Sequence, residues 1–124
     1  MEEFELWLKK AKDDLRWTRH NKEAGEYYGA CFSAQQAAEK ALKGFLLYHN
    51  KPLRKVHDIV ALLEDCLAID DDFEQLRKEA ELLLPYYVET RYPFGDDETL
   101  FDESKAEEAL RAASRIIDLV EKKF

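Results

Sequence analysis

Three groups of side chains in this chain have the types and spacing to do chemistry. His57-Asp58 sets an imidazole beside a carboxylate. Imidazole titrates near neutral pH, so His57 can give or take a proton, with Asp58 orienting it. The plainer reading is a helix start at which both side chains tie down the preceding loop, and the residues alone favour it. Arg91-Tyr92-Pro93 offers a guanidinium that can clamp a phosphate or carboxylate through two parallel hydrogen bonds. It fits equally a pairing with Asp58, or a cation closing the carbonyl end of a helix. Gln36, Lys40 and Lys43 fall at i, i+4 and i+7 and share one helix face, flanked by Gln35 and Glu39. They read as a solvated face with an intrahelical ion pair, or as a polar strip that meets a nucleotide, RNA or a partner protein.

The aromatic series Tyr86, Tyr87, Tyr92 and Phe94 suits base stacking, and its period also suits core packing. Asp96, Asp97, Glu98, Asp102 and Glu103 crowd one stretch but lack the glycine and alternating ligands of a calcium loop. A solvated acidic loop is expected there, with no metal. Glycine-rich phosphate loops, zinc-ligand spacings and a nucleophile elbow are all missing, so no cofactor is expected.

Five amphipathic segments must position these groups. Residues 2–22 carry Phe4, Leu8, Ala11, Leu15 and Thr18 on one face, joined by Trp7, and end at Gly25, a residue suited to a left-handed turn. Residues 26–49 carry Cys31, Ala34, Ala38, Ala41, Phe45 and Tyr48, whose alternating steps of three and four make a seam with small residues at its centre. Asn50-Lys-Pro52 ends that segment. Residues 56–68 bury Val56, Ile59, Val60, Leu63 and Leu67. After Asp70-Asp71-Asp72, a fourth stripe runs through Phe73, Leu76, Ala80, Leu83 and Tyr87, with Pro85 breaking the helix near Leu84. Residues 90–103 are irregular. A last helix opens with a capping-box spacing at Ser104 and Glu107 and presents Ala106, Leu110, Ala113, Ile117, Val120 and Phe124.

Short connections between such helices favour antiparallel neighbours. The expected fold is therefore all-α, an antiparallel up-and-down helical bundle of four to five helices forming a single domain over residues 1–124. In that topology one end gathers His49, Lys51, Arg54, His57, Asp58, Arg91 and Tyr92.

The 124 residues carry 19 basic and 27 acidic side chains, a net charge of -8, which argues against a broad cationic nucleic-acid clamp. Cys31 and Cys66 lie within helical patterns and read as buried free thiols of a reduced, cytoplasmic protein. No apolar run approaches the ~18 residues of a membrane span, and the acidic, amphipathic start MEEFELWLKK does not read as a signal peptide. The exposed-looking aromatics Trp7, Trp17, Tyr27 and Tyr28 suggest self-association.

Taken in order, several segments resemble the HEPN domain family along essentially the whole chain. They are Trp7…Ala11-Lys-Asp-Asp14-Leu15, Tyr27…Cys31-Phe32-Ser33-Ala34-Gln35-Gln36-Ala37-Ala38-Glu39-Lys40-Ala41-Leu42-Lys43, His57-Asp58-Ile59 and Tyr87…Thr90-Arg91-Tyr92-Pro93. The resemblance implies a helical bundle, often a homodimer, and frequently a partner or toxin-like component beside a minimal nucleotidyltransferase. It also implies, as alternatives, a metal-independent RNase or a nucleotide-binding module. The RNase branch carries an Arg-x4–6-His motif that this sequence lacks. An RNase here would need a non-sequential site, with His57 as base, Arg91 on the phosphate and Asp58 orienting. Gln36, Lys40, Lys43 and Tyr92 would then meet nucleotide, RNA or a partner.

Overall fold

The structure, a computed structural model, describes residues 1–89 and 101–124. Among these residues the elements are α1 (Glu3–Glu23), α2 (Tyr27–Tyr48), α3 (Ile59–Leu67), a 3-10 helix (Asp71–Leu76), α4 (Arg77–Leu83), α5 (Tyr86–Glu89) and α6 (Glu103–Lys122). The all-α expectation holds.

α2 is the axis of the fold. Every residue from Ala30 to Leu46 is buried or half-buried. Its seam residues Cys31, Ala34, Ala38, Ala41 and Phe45 are all fully buried, whereas Tyr48 emerges at the end. The small seam lets neighbours approach closely. At Gly44 an added Cβ would stand 3.3 Å from the Phe4 carbonyl oxygen and 3.3 Å from Trp7 Cβ, so α1 rests on bare backbone there.

Cross-links fix the directions. Phe4 meets Tyr48 at 4.8 Å between ring centroids, and the Thr18 and Ser33 hydroxyls are 2.7 Å apart, so α1 and α2 are antiparallel. Phe4 also meets Phe124 at 5.0 Å while Lys22 pairs with Glu107 at 3.1 Å, so α1 and α6 are antiparallel too. The unit from the 3-10 helix through α4 runs against α6, joined by Lys123–Asp70 at 2.9 Å and Arg115–Glu79 at 3.3 Å. These four lines of helix form the up-and-down bundle, with α3 inserted in the connection between α2 and α4.

Ends follow local chemistry. Gly25, at φ 78°, turns the chain after α1, and Asn50, at φ 59°, does so after α2. Pro85 divides the fourth stripe where expected, with α4 ending at Leu83 and α5 restarting at Tyr86. The start of α6 differs from the sequence reading. Asp102, not Ser104, is the N-cap, and its carboxylate accepts from the Lys105 N–H at 2.8 Å. The helix already begins at Glu103, and Glu107 turns outward to Lys22 and Arg111 instead of back to the cap.

Cys31 and Cys66 are free and buried. Burial pushes the Cys31 thiol up to about 12, opposed by a hydrogen bond with Tyr86, and pushes the Cys66 thiol up as well. At about pH 8, iodoacetamide should leave both cysteines unmodified in the native protein and alkylate both in denaturant. Mass spectrometry reads the adduct count. Fast labelling of either thiol in the native state would contradict the packed placement.

Candidate functional site

The chemistry-bearing side chains cluster on the flank of α2 that faces α3 and α5. The chain leaves α2 at Tyr48, and residues 49–58 double back along it. The Gln35 side-chain amide donates to the His57 carbonyl at 3.2 Å, and Cys66 Sγ further along lies 3.8 Å from the Leu42 carbonyl oxygen. His57 is thereby lifted about two turns of helix above the end of α2. The expectation that His49 and His57 share one end of the bundle is therefore corrected. His49 lies on the Phe45 ring at 4.5 Å, near the bottom, and His57 sits beside Glu39.

His57 is held from three sides. Gln35 holds its backbone carbonyl. Its Nδ1 lies 3.0 and 3.2 Å from the two carboxylate oxygens of Glu39. One face of its ring stacks on Tyr87, with centroids 4.0 Å apart and planes 11° from parallel. The His57 side chain is nevertheless 47% exposed, while the Glu39 side chain is 5% exposed. One edge of the imidazole thus looks into the core and the other toward solvent.

Glu39 is an acid in the middle of a wrapped helix, and three donors compensate it. Lys43 Nζ lies 3.0 Å from Oε2, and Gln35 Nε2 lies 3.3 Å from Oε1, besides the imidazole. Lys43 is itself buried, and its ammonium stands 5.9 Å from the centroid of the Trp7 ring. Gln36 extends the network by donating to Gln35 Oε1 at 2.7 Å. The result is a continuous line, Trp7–Lys43–Glu39–His57–Tyr87, running from α1 across α2 to α5.

The remaining candidates separate. Lys40 turns to the other side of α2 and pairs with Asp14 of α1. Asp58 caps α3, its Oδ1 accepting from the Val60 and Ala61 N–H groups at 3.0 Å each. The carboxylate against the imidazole is Glu39, and Asp58 serves the helix start. Arg91 and Tyr92, like Phe94, Asp96, Asp97 and Glu98, lie outside the described residues. Among the described residues no three His, Cys, Asp or Glu side chains converge as a metal site would need.

The geometry places a half-exposed histidine on a buried carboxylate, on the flank of the central helix of a bundle whose order and directions can be compared with known proteins. The HEPN domain profile matches residues 4–123. This chain belongs to the HEPN domain family. The structure superimposes on that of TT1696 from Thermus thermophilus with a TM-score of 0.90, at 40% identity over 100% of both chains. ST0689, an archaeal HEPN homologue, is similar at 32% identity and a TM-score of 0.82, over 99% of this chain and 98% of that one. An HEPN domain protein from Thermotoga maritima is similar at 30% identity and a TM-score of 0.76, over 94% of each chain. No curated protein sequence matches.

Two members of this cluster, Gln35 and Glu39, are visible in the sequence only as flanks of the Gln36/Lys40/Lys43 row. The better signal was the neighbouring row Gln35, Glu39, Lys43, at i, i+4 and i+8, which sets three polar side chains on a flank the fold covers. Tyr87 was legible as a stripe residue but not as the platform for His57.

Glu39→Ala leaves the Lys43 ammonium buried without its carboxylate and should destabilise the fold by about 3–5 kcal/mol. Glu39→Met together with Lys43→Met removes both charges and should restore most of that loss. Denaturant midpoints at unchanged m-value measure both effects. A single variant as stable as the parent would mean that water reaches Lys43 without cost.

Proposed function

We propose that this HEPN protein works as the partner or toxin-like component of a pair with a minimal nucleotidyltransferase, docking onto that protein through α1. The observation that carries the reading is the pair of large apolar side chains that α1 leaves outward. Leu6 is 48% and Trp17 51% exposed, eleven residues apart and so on one helix face. At Leu6 an open groove of about 500 Å³ is lined by Glu3, Leu6, Trp7, Lys10 and Lys40. Large apolar side chains left in water suit a protein partner better than a phosphate backbone. Lys40 and Lys43, the cations of the polar strip, are engaged with Asp14 and Glu39, which weakens a purely phosphate-binding role. A homodimer, as the family resemblance implies, belongs to the same proposal.

A minimal nucleotidyltransferase encoded beside this chain should co-elute with it in size-exclusion chromatography. Trp17→Ala should weaken the complex at least about tenfold, the effect of losing a central interface tryptophan. Light scattering gives the stoichiometry. An unchanged affinity for Trp17→Ala removes α1 as the docking face, and the lack of any complex removes the pairing.

The arrangement at His57 favours a second reading, a metal-independent RNase. With Nδ1 on Glu39, Nε2 is the nitrogen available to accept the proton of a ribose 2′-hydroxyl. The 2′-oxygen attacks phosphorus as that proton leaves. The bond to the 5′-oxygen breaks, and the leaving oxygen takes a proton from solvent. A 2′,3′-cyclic phosphate and a 5′-hydroxyl end result. Arg91, four residues after Tyr87 in the chain, is the proposed cation for the charge building on phosphorus. Cleavage of defined RNA in EDTA should fall at least about a hundredfold in both His57→Ala and Arg91→Ala, the scale of losing an acid–base or electrostatic group. Equal cleavage by parent and variants would eliminate this site.

A further inference from the structure

We infer that Glu39 is the positioning residue of this site: it sets the tautomer of His57, so that Nδ1 carries the proton and Nε2 is presented bare to a ligand hydroxyl. The inference rests on the RNase reading only for its catalytic consequence. The tautomer follows from the donors and acceptors alone.

A carboxylate held by an ammonium and an amide has only acceptor sites left to offer. Lys43 Nζ stands 3.0 Å from one oxygen of Glu39, and the Gln35 amide 3.3 Å from the other. The imidazole nitrogen 3.0 Å from that carboxylate must therefore be an N–H. The ring cannot easily turn over to set a carbon where Nδ1 stands. Gln35 grips the carbonyl of the same residue at 3.2 Å, and the Tyr87 ring lies flat against one face at 4.0 Å. The second nitrogen makes no hydrogen bond among the described residues, and the side chain is 47% exposed. Lys43 has its own part in this arrangement. By neutralising Glu39 from the far side, it allows the carboxylate to orient His57 without imposing an uncompensated charge on the core.

The variant that tests this is Glu39→Met with Lys43→Met, which keeps the volume, removes the acceptor and leaves no buried charge. Two-bond proton–nitrogen correlation spectra of the full chain, labelled with nitrogen-15, read the tautomer of each histidine at about pH 8, where an ordinary imidazole is neutral. His57 should give the Nδ1–H pattern in the parent. In the double variant it should move to the pattern of the exposed His20. An Nε2–H pattern in the parent, or an Nδ1–H pattern that survives in the double variant, overturns the assignment. Cleavage kinetics form the second arm. On a defined RNA in EDTA, kcat should fall roughly tenfold or more with KM little changed, as befits a group acting only through another. A parent that cleaves nothing overturns the RNase reading, and the spectra alone then decide the tautomer.

Discussion

A carboxylate in the middle of a helix that neighbours cover on all sides must be neutralised from very close by. In water Glu39 would have its charge dispersed by solvent. Here it has Lys43 one turn along, Gln35 one turn back and His57 delivered from another part of the chain. The first two partners are local and come from the helix itself. The third requires the chain to climb back along α2 before α3 begins. The path of residues 49–58, the placement of α3 and the stacking of α5 all accommodate that requirement. Solvating two charges with one another and with an amide rarely adds much stability over an apolar pair of equal size. Its effect is geometric: it admits one arrangement of those segments and penalises others.

That constraint separates what the sequence discloses from what it conceals. The stripes of α1, α2, α4 and α6 come from 3.6-residue periodicity, and the fold obeys them because apolar faces must be covered. Pro85 and Gly25 act through backbone chemistry that needs no knowledge of the tertiary structure, so their effects were readable too. The climb of residues 49–58 was not readable. A chain leaving a helix at Asn50 and Pro52 can continue in many directions, and the choice depends on Gln35 and Glu39, distant in sequence. Asp58 took the plainer of its two readings, the helix start, and the carboxylate on the imidazole came from Glu39, which adjacency in sequence could not suggest. An aspartate at a helix start has backbone N–H groups to satisfy first.

The same reasoning explains the two rows of polar residues on α2. Gln36 and Lys40 lie one position along from Gln35 and Glu39, and a single residue turns a helical side chain by about 100°. One row therefore meets the return of the chain, and the other meets α1, where Lys40 finds Asp14. Lys43 sits low enough on the helix to serve Glu39 while touching the Trp7 ring. Membership of the HEPN family accounts for the frame on which these rows are hung. The division of labour between them belongs to the side chains of this chain.

α5 has only four residues, Tyr86 to Glu89, and follows a proline. A helix that short has almost no internal hydrogen bonding to define its own direction. Its pose depends on its two tyrosines: the buried Tyr86, 6.1 Å from Phe101, and Tyr87, flat against His57. The direction of α5 is thus set by ring contacts and not by helical stiffness. Any molecule that seats on the open edge of His57 and tilts its imidazole also tilts the bearing on which α5 turns. The orientation of the imidazole and the pose of α5 are thereby tied to one another through a single stacked pair of rings.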